Sequence, residues 1–166
     1  MNNGTLSFKN ISMLPSGAFQ VKLKKERREF QPYAKSLRAA ISLRNECYKL
    51  ANYRPCNLHI KMFDLSVIAP HPRGGFQVHS RRLHDRKYMP RQFASKIDAK
   101  NFATRWIKAH NGIASIYNGK RETAFLAQIE QELIEQKPYI EVTFSSELWL
   151  ESAKELFGEA IPEFFE

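Results

Sequence analysis

The sequence predicts an α+β fold: two repeated units, each a three-stranded antiparallel sheet backed by one helix, followed by a mainly helical, acidic C-terminal segment. Three observations carry this. Gly17-Ala18-Phe19-Gln20-Val21 returns as Gly74-Gly75-Phe76-Gln77-Val78, four identities in five at an offset of 57. Each copy runs on through a basic segment to Tyr33-Ala34 or Phe93-Ala94, then to an amphipathic stretch containing Ala39 or Ala99. That second offset is 60, which places three extra residues in the turn of the second copy. Finally, the chain is electrically two-part: residues 1–121 hold 24 basic and 6 acidic residues, whereas 122–166 hold 2 and 11.

In the first unit (1–56), alternation and turn residues predict strands near 6–14, 18–25 and 28–34, separated by Pro15-Ser16-Gly17 and by the charged bend Lys24 to Arg28. A helix starts near Ser36, with Leu37, Ala40, Ile41, Cys47, Leu50 and Ala51 at roughly helical spacing and Arg54-Pro55 beyond its end. The second unit (57–121) repeats the order, with strands near 58–68, 75–82 and 86–93. Its helix runs from about Ser95 to His110, turns Ile97, Phe102, Trp106 and Ile107 to a core, and stops at Asn111-Gly112. In the third segment (122–166) a helix from Glu122 to about Gln136 ends before Pro138. Tyr139 to Phe144 reads as a strand, and Ser146 to Phe157 as a helix capped by Ser145 or Ser146.

The 166 residues carry a net charge of +9 and are 43% hydrophobic, enough apolar material for a packed core and a reason to expect an anionic partner. Cys47 and Cys56 lack the CxxC spacing of a zinc site and read as reduced, partly buried side chains. No run of 18 apolar residues exists, and the first residues lack a signal peptide's basic and apolar regions. The expectation is a cytoplasmic protein without a membrane partner, associated with the nucleoid if the host is bacterial.

Period-two alternation turns Phe19, Val21 and Leu23 to one face of their strand and Gln20, Lys22 and Lys24 to the other. In the second copy Phe76 and Val78 are core-facing, while Gln77, His79 and Arg81 point away, with Arg82, Arg86 and Arg91 following. A basic, Gln-bearing sheet suits double-stranded DNA. The major groove admits a narrow β-sheet, Arg and Lys donate to guanine, and Gln pairs bidentately with adenine. Lys25, Arg27 and Arg28 in the first turn, and Arg82 to Lys87 in the second, are candidate phosphate contacts.

The order of strand, Gly-Xaa-Phe-Gln-Val strand, basic turn, third strand ending Tyr/Phe-Ala, and Ala-bearing helix resembles the AP2-type DNA-binding module over about residues 6–110. Such modules occur in plant regulators, integrase arm-binding regions and phage homing endonucleases. The resemblance implies a sheet seated in the major groove with a helix behind it. It also implies base or backbone contacts from Gln20, Lys22, Lys24 and Arg28, and from Gln77, His79, Arg81, Arg86 and Arg91. The Trp- and Gly-rich pattern of the plant members is absent, so the module and its binding mode carry over, not a plant recognition sequence.

Nothing in the sequence reads as an enzyme. The acidic residues of the basic part, including Asp64, Asp85 and Asp98, show no metal-ligand spacing, and a phosphate-binding Gly-rich loop, a nucleophile elbow and a dinucleotide fingerprint are all missing. No cofactor or metal is expected. The expected function is sequence-specific DNA binding, as in a repressor of phage or mobile-element type that resembles a homing-endonuclease specificity region without its nuclease. In the acidic segment, Leu126, Ile129 and Leu133 suggest a homodimer interface, docking on the basic repeats, or completion of one core. Two other readings stay open. An RNA-binding sheet would require exposed Phe19 and Phe76, and a protein-binding inhibitor would require a continuous negative face from Glu122 to Glu166.

Overall fold

A computed structural model of the chain describes residues 8–55, 57–138 and 143–162. It is α+β, and it divides into two compact units: residues 1–56 with 122–142, and residues 57–121 with 143–166. The acidic segment expected to stand as a third element is shared between them.

In the first unit, β1 (Ile11–Met13), β2 (Phe19–Val21) and β5 (Tyr33–Ala34) form one sheet in the order β1-β2-β5, and β3 (Leu23–Lys25) pairs with β4 (Arg28–Phe30). The pieces belong together. Phe19 faces Ala34, Gln20 faces Tyr33, Leu23 faces Phe30 and Lys25 faces Arg28, so one antiparallel register runs from residue 19 to residue 34. Pro32, which has no N–H to give the ladder, lies at the interruption, and its carbonyl still accepts from the Val21 amide at 2.9 Å. The first strand is shorter than the expected 6–14, and residues 6 and 7 lie outside the described residues.

Helix α1 (Leu37–Leu50) covers one face of this sheet, with Val21, Ala34 and Ala40 buried between them and Ile11, Phe19 and Leu43 packed around. Ser36 caps it, its hydroxyl accepting from the Ala39 amide at 3.2 Å. Leu50, expected on the core face, is instead 75% exposed in the last turn. Cys47 is a buried free thiol whose pKa burial raises, while Cys56 lies outside the described residues.

In the second unit, β6 (Ile68–Pro70), β7 (Phe76–Val78) and β8 (Arg91–Phe93) form a sheet in that order. Here too one register holds: Phe76 faces Phe93, Val78 faces Arg91, and an isolated bridge joins Arg81 to Tyr88. Backbone bonding repeats residue for residue between the units. Leu14 and His71 accept from Gly17 and Gly74, and the Lys22 and His79 amides donate to Asn10 and Val67. These pairs are all 57 apart. Gly17 and Gly74 hold φ of 81° and 94°, the left-handed conformation that a turn at this position needs and that other residues adopt at a cost. Past the hairpin turn the offset becomes 59, because the first turn is two residues (Glu26, Arg27) and the second is four (Leu83 to Arg86). Thus Ala40 matches Ala99, both fully buried, and Ser36 matches Ser95; the expected match of Ala39 with Ala99 was one residue out.

Two expectations for this unit fail for tertiary reasons. Most of 58–68 is not strand, because side chains of a helix satisfy its backbone. Asn111 donates to the Phe63 carbonyl and accepts from its amide at 2.8 and 2.9 Å, and Asn118 does the same to Ile60 at 3.0 and 2.7 Å. For the same reason Asn111-Gly112 ends nothing. Helix α2 runs unbroken over Lys96–Glu135, and a Cβ on Gly112 would lie 2.7 Å from Leu156 Cδ2, so the glycine admits a close neighbour. Ile97, expected in the core, is 72% exposed. Helix α3 (Ser146–Phe157), capped by the Ser145 hydroxyl, buries Trp149 and Ala153 in the second unit's core beside Val78, Phe102, Trp106 and Tyr117. The expected strand Tyr139 to Phe144 falls mostly outside the described residues, and Thr143 and Phe144 form no strand. Among the described residues no helix is long and apolar enough to cross a membrane.

In the first unit the last turns of α2 meet α1 through a buried ion pair. Arg44 donates from both terminal nitrogens to Glu132 at 2.9 and 3.0 Å, and Asn45 donates to the Ile129 carbonyl at 2.8 Å. Arg44 and Glu132 are 1% and 4% exposed. Removing one partner leaves an uncompensated buried charge, so Arg44→Ala or Glu132→Ala should cost about 3–5 kcal/mol in chemical denaturation. The double replacement Arg44→Met with Glu132→Leu should recover most of that loss, because neither charge is then left unpaired.

Candidate nucleic-acid interface

Cross-strand partners share a face, so the register assigns every side chain of the two hairpins. In the first unit the face away from α1 carries Ser12, Gln20, Lys22, Lys24, Glu29, Gln31 and Tyr33. In the second it carries Ala69, Gln77, His79, Arg81, Tyr88 and Gln92. Gln20, Lys22 and Lys24, and likewise Gln77, His79 and Arg81, are therefore brought together as expected, one triplet per sheet. Lys22 and Lys24 are exposed, Lys24 directly opposite Glu29. His79 is exposed and its Nδ1 lies 2.6 Å from the Tyr88 hydroxyl, the rings stacked at 6.1 Å. Arg81 is half-buried, with Nη1 donating to the Arg86 carbonyl at 3.2 Å.

The remaining candidates are placed differently. Lys25 turns to the helix side, where Nζ donates to the Ala51 and Asn52 carbonyls at 2.7 and 2.6 Å and closes the C-terminal end of α1. Arg28, its cross-strand partner, is exposed but lies on that same side, not with Gln20. Arg27 is exposed at the hairpin tip. Arg82 pairs with Asp85 inside the four-residue turn, and Lys87 is exposed beside it. Although burial works against ionisation, the Lys87 amide and Arg82 hold the Asp85 carboxyl below its ordinary range. Arg91, opposite Val78, belongs to the helix-side face.

Arg86 departs furthest from expectation. Its backbone is left-handed (φ 58°), and its guanidinium lies 5.0 Å over Phe144 and 5.2 Å over Trp149, inside the unit. Burial and then neighbouring Arg81 lower its pKa. It holds the turn from within rather than offering a contact outside. Two indoles complete the anchorage, Trp106 donating to the Arg81 carbonyl at 2.8 Å and Trp149 to that of Leu83.

Sequence reasoning missed Gln31, Tyr33, Tyr88 and Gln92, which share the free faces. Alternation along the third strand, counted back from the turn, is the signal that finds them. Of the C-terminal candidates, Ile129 is 1% exposed within the first unit, while Leu126 and Leu133 are half-buried. Among the described residues no three His, Cys, Asp or Glu side chains converge as a metal site. No family model matches the chain, and comparison with curated proteins and with solved structures found no match.

Behind the second hairpin His110 is fully buried, its ring 4.8 Å from Phe63, 5.2 Å from Trp106 and 5.3 Å from Trp149. Desolvation lowers its pKa to about 4; Asn111 opposes this, while Arg86 and Arg81 add to it. In the unfolded chain an ordinary His titrates near pH 6.5, so the unfolded state takes up the proton first as pH falls. Above about pH 6.5 the group has no effect on stability. Between there and about pH 4 it should cost increasing stability, on the order of 3 kcal/mol in total, with no further loss below. Chemical denaturation across this range should show the wild type losing that much stability relative to His110→Leu as pH falls.

Proposed function

We propose that the chain is a non-enzymatic, sequence-specific double-stranded DNA-binding protein, a transcriptional repressor of phage or mobile-element type, acting through the free faces of its two sheets. One observation carries the reading. Both sheets turn basic side chains away from their helix at the same register positions, Lys22 and Lys24 in one and His79 and Arg81 beside Gln77 in the other, while their phenylalanines lie on the helix side. A narrow antiparallel sheet with amide and cationic side chains on its open face has the shape and donors that major-groove edges accept.

The same geometry takes Phe19 and Phe76 out of single-strand stacking by packing them toward α1 and α2, and it leaves Tyr33 and Tyr88 as the exposed aromatics of the free faces, their hydroxyls engaged with Gln20 and His79. It weighs against an acidic mimic of nucleic acid. Glu122 pairs with Arg54, Glu130 with Lys49 and Glu132 with Arg44 in the first unit, and Glu151 and Glu155 with Lys120 in the second. These carboxylates are held by basic residues of their own units.

Selection from a randomised duplex pool at ~150 mM salt, where purely electrostatic binding is weakened, should enrich a defined motif. Replacing Gln77 and Arg81 by Ala should flatten that motif, each side chain's pairing with a base edge being worth about 1–3 kcal/mol of discrimination. Binding that enriches no motif and vanishes as salt rises would refute the reading.

A further inference from the structure

The two sheets share a register but not a chemistry, and the difference falls on the glutamines. In the first unit Gln20 is only 7% exposed, and its amide is occupied: Nε2 donates to the Tyr33 hydroxyl at 2.9 Å and to Gln31 Oε1 at 3.3 Å. Gln31 in turn donates to Glu29 at 2.6 Å, so a chain of polar side chains runs along this face. Bidentate pairing with adenine needs the donor and acceptor ends of one amide together. Gln20 has its donor end committed.

In the second unit the positions that hold Gln20 are filled otherwise. Pro90 stands where Gln31 stands and has no side-chain partner to give. Gln92 stands where Tyr33 stands, and its Nε2 lies 2.9 Å from His71 Nε2 instead. Ala69 replaces Ser12 opposite the glutamine. Gln77 consequently makes no side-chain hydrogen bond among the described residues, and it is half-buried with neither amide end committed to a protein partner. Outward along the strand lies Arg81, whose Nη1 donates to the Arg86 carbonyl while Nε and Nη2 keep a pair of parallel donors that matches guanine, where the first sheet has Lys24 opposite Glu29.

We infer that the second sheet alone selects the base sequence, Gln77 pairing with an adenine and Arg81 with a guanine, while the first sheet grips phosphates through Lys22, Lys24 and Arg27 whatever the sequence. The inference rests on the duplex-binding reading above, and the experiment separates the two. The full chain, Gln77→Ala, Gln20→Met and Lys22→Ala/Lys24→Ala are each taken through selection and then titrated on the selected and a scrambled duplex over a range of salt. The expected result is one contiguous submotif. Gln77→Ala should lose roughly tenfold preference at one A·T position. Gln20→Met, close in volume, should leave the motif unchanged. The double lysine variant should weaken both duplexes alike and lower the log–log salt slope by about 0.9 for each phosphate that is no longer neutralised. Should Gln20→Met fail to fold by circular dichroism, Tyr33→Phe takes its place, with an unchanged motif expected. Two submotifs of equal information, or a base preference altered by Gln20→Met or Tyr33→Phe, would overturn the inference while leaving duplex reading intact. Failure to bind any duplex even at ~50 mM salt would overturn both.

Discussion

Two β-hairpins that each keep one register through every interruption govern the rest of this molecule. Because the side-chain period of a strand is two, a slip by a single residue would send Val21 or Val78 outward and bring Lys22 or His79 into the core. The register is therefore held by burial on one face, and the polar face follows without separate specification. Breaks at Pro32 and Pro90, where the ladder lacks a donor, leave the pairing on either side in phase. The different turn lengths at Glu26-Arg27 and Leu83 to Arg86 change the offset between copies, yet neither changes which residues face the helix.

Around the hairpins, polar side chains perform much of the architecture. Asn111 and Asn118, seven residues apart and so two turns along one face of α2, take the place of a neighbouring strand for the segment through Ile60 and Phe63. Arg44 and Glu132 join α1 to the end of α2, and Lys25 closes the carbonyl end of α1. Arg44 and Glu132 satisfy each other where either alone would be a buried charge without a partner, which is costly. The excess positive charge of the basic part is accordingly not all available to a ligand: Lys25, Arg44, Arg54 and Arg86 are engaged in folding.

What was legible in the sequence was local. Repetition of the Gly-Xaa-Phe-Gln-Val strand, alternation along β2 and β7, and helix starts near Ser36 and at Ser145 or Ser146 all depend on neighbours within a few residues. What was not legible depended on partners far along the chain. Asn111-Gly112 carries the composition of a helix stop, but Phe63 and Leu156 decide its conformation. Arg86 sits in an Arg-rich turn that reads as solvated, yet Phe144 and Trp149, some 60 residues later, draw it inward. The occupancy of Gln20 was equally hidden, because it follows from the third strand's alternation rather than from the strand that bears it.

Sheet faces that enter the major groove must be sensitive to what projects there, and methylation interference on a selected duplex probes that sensitivity groove by groove. Methyl groups on guanine N7 project into the major groove, whereas those on adenine N3 project into the minor groove. N7 methylation within the motif should block binding, and N3 methylation there should not. The opposite pattern, or indifference to both, would contradict sheet-in-groove reading.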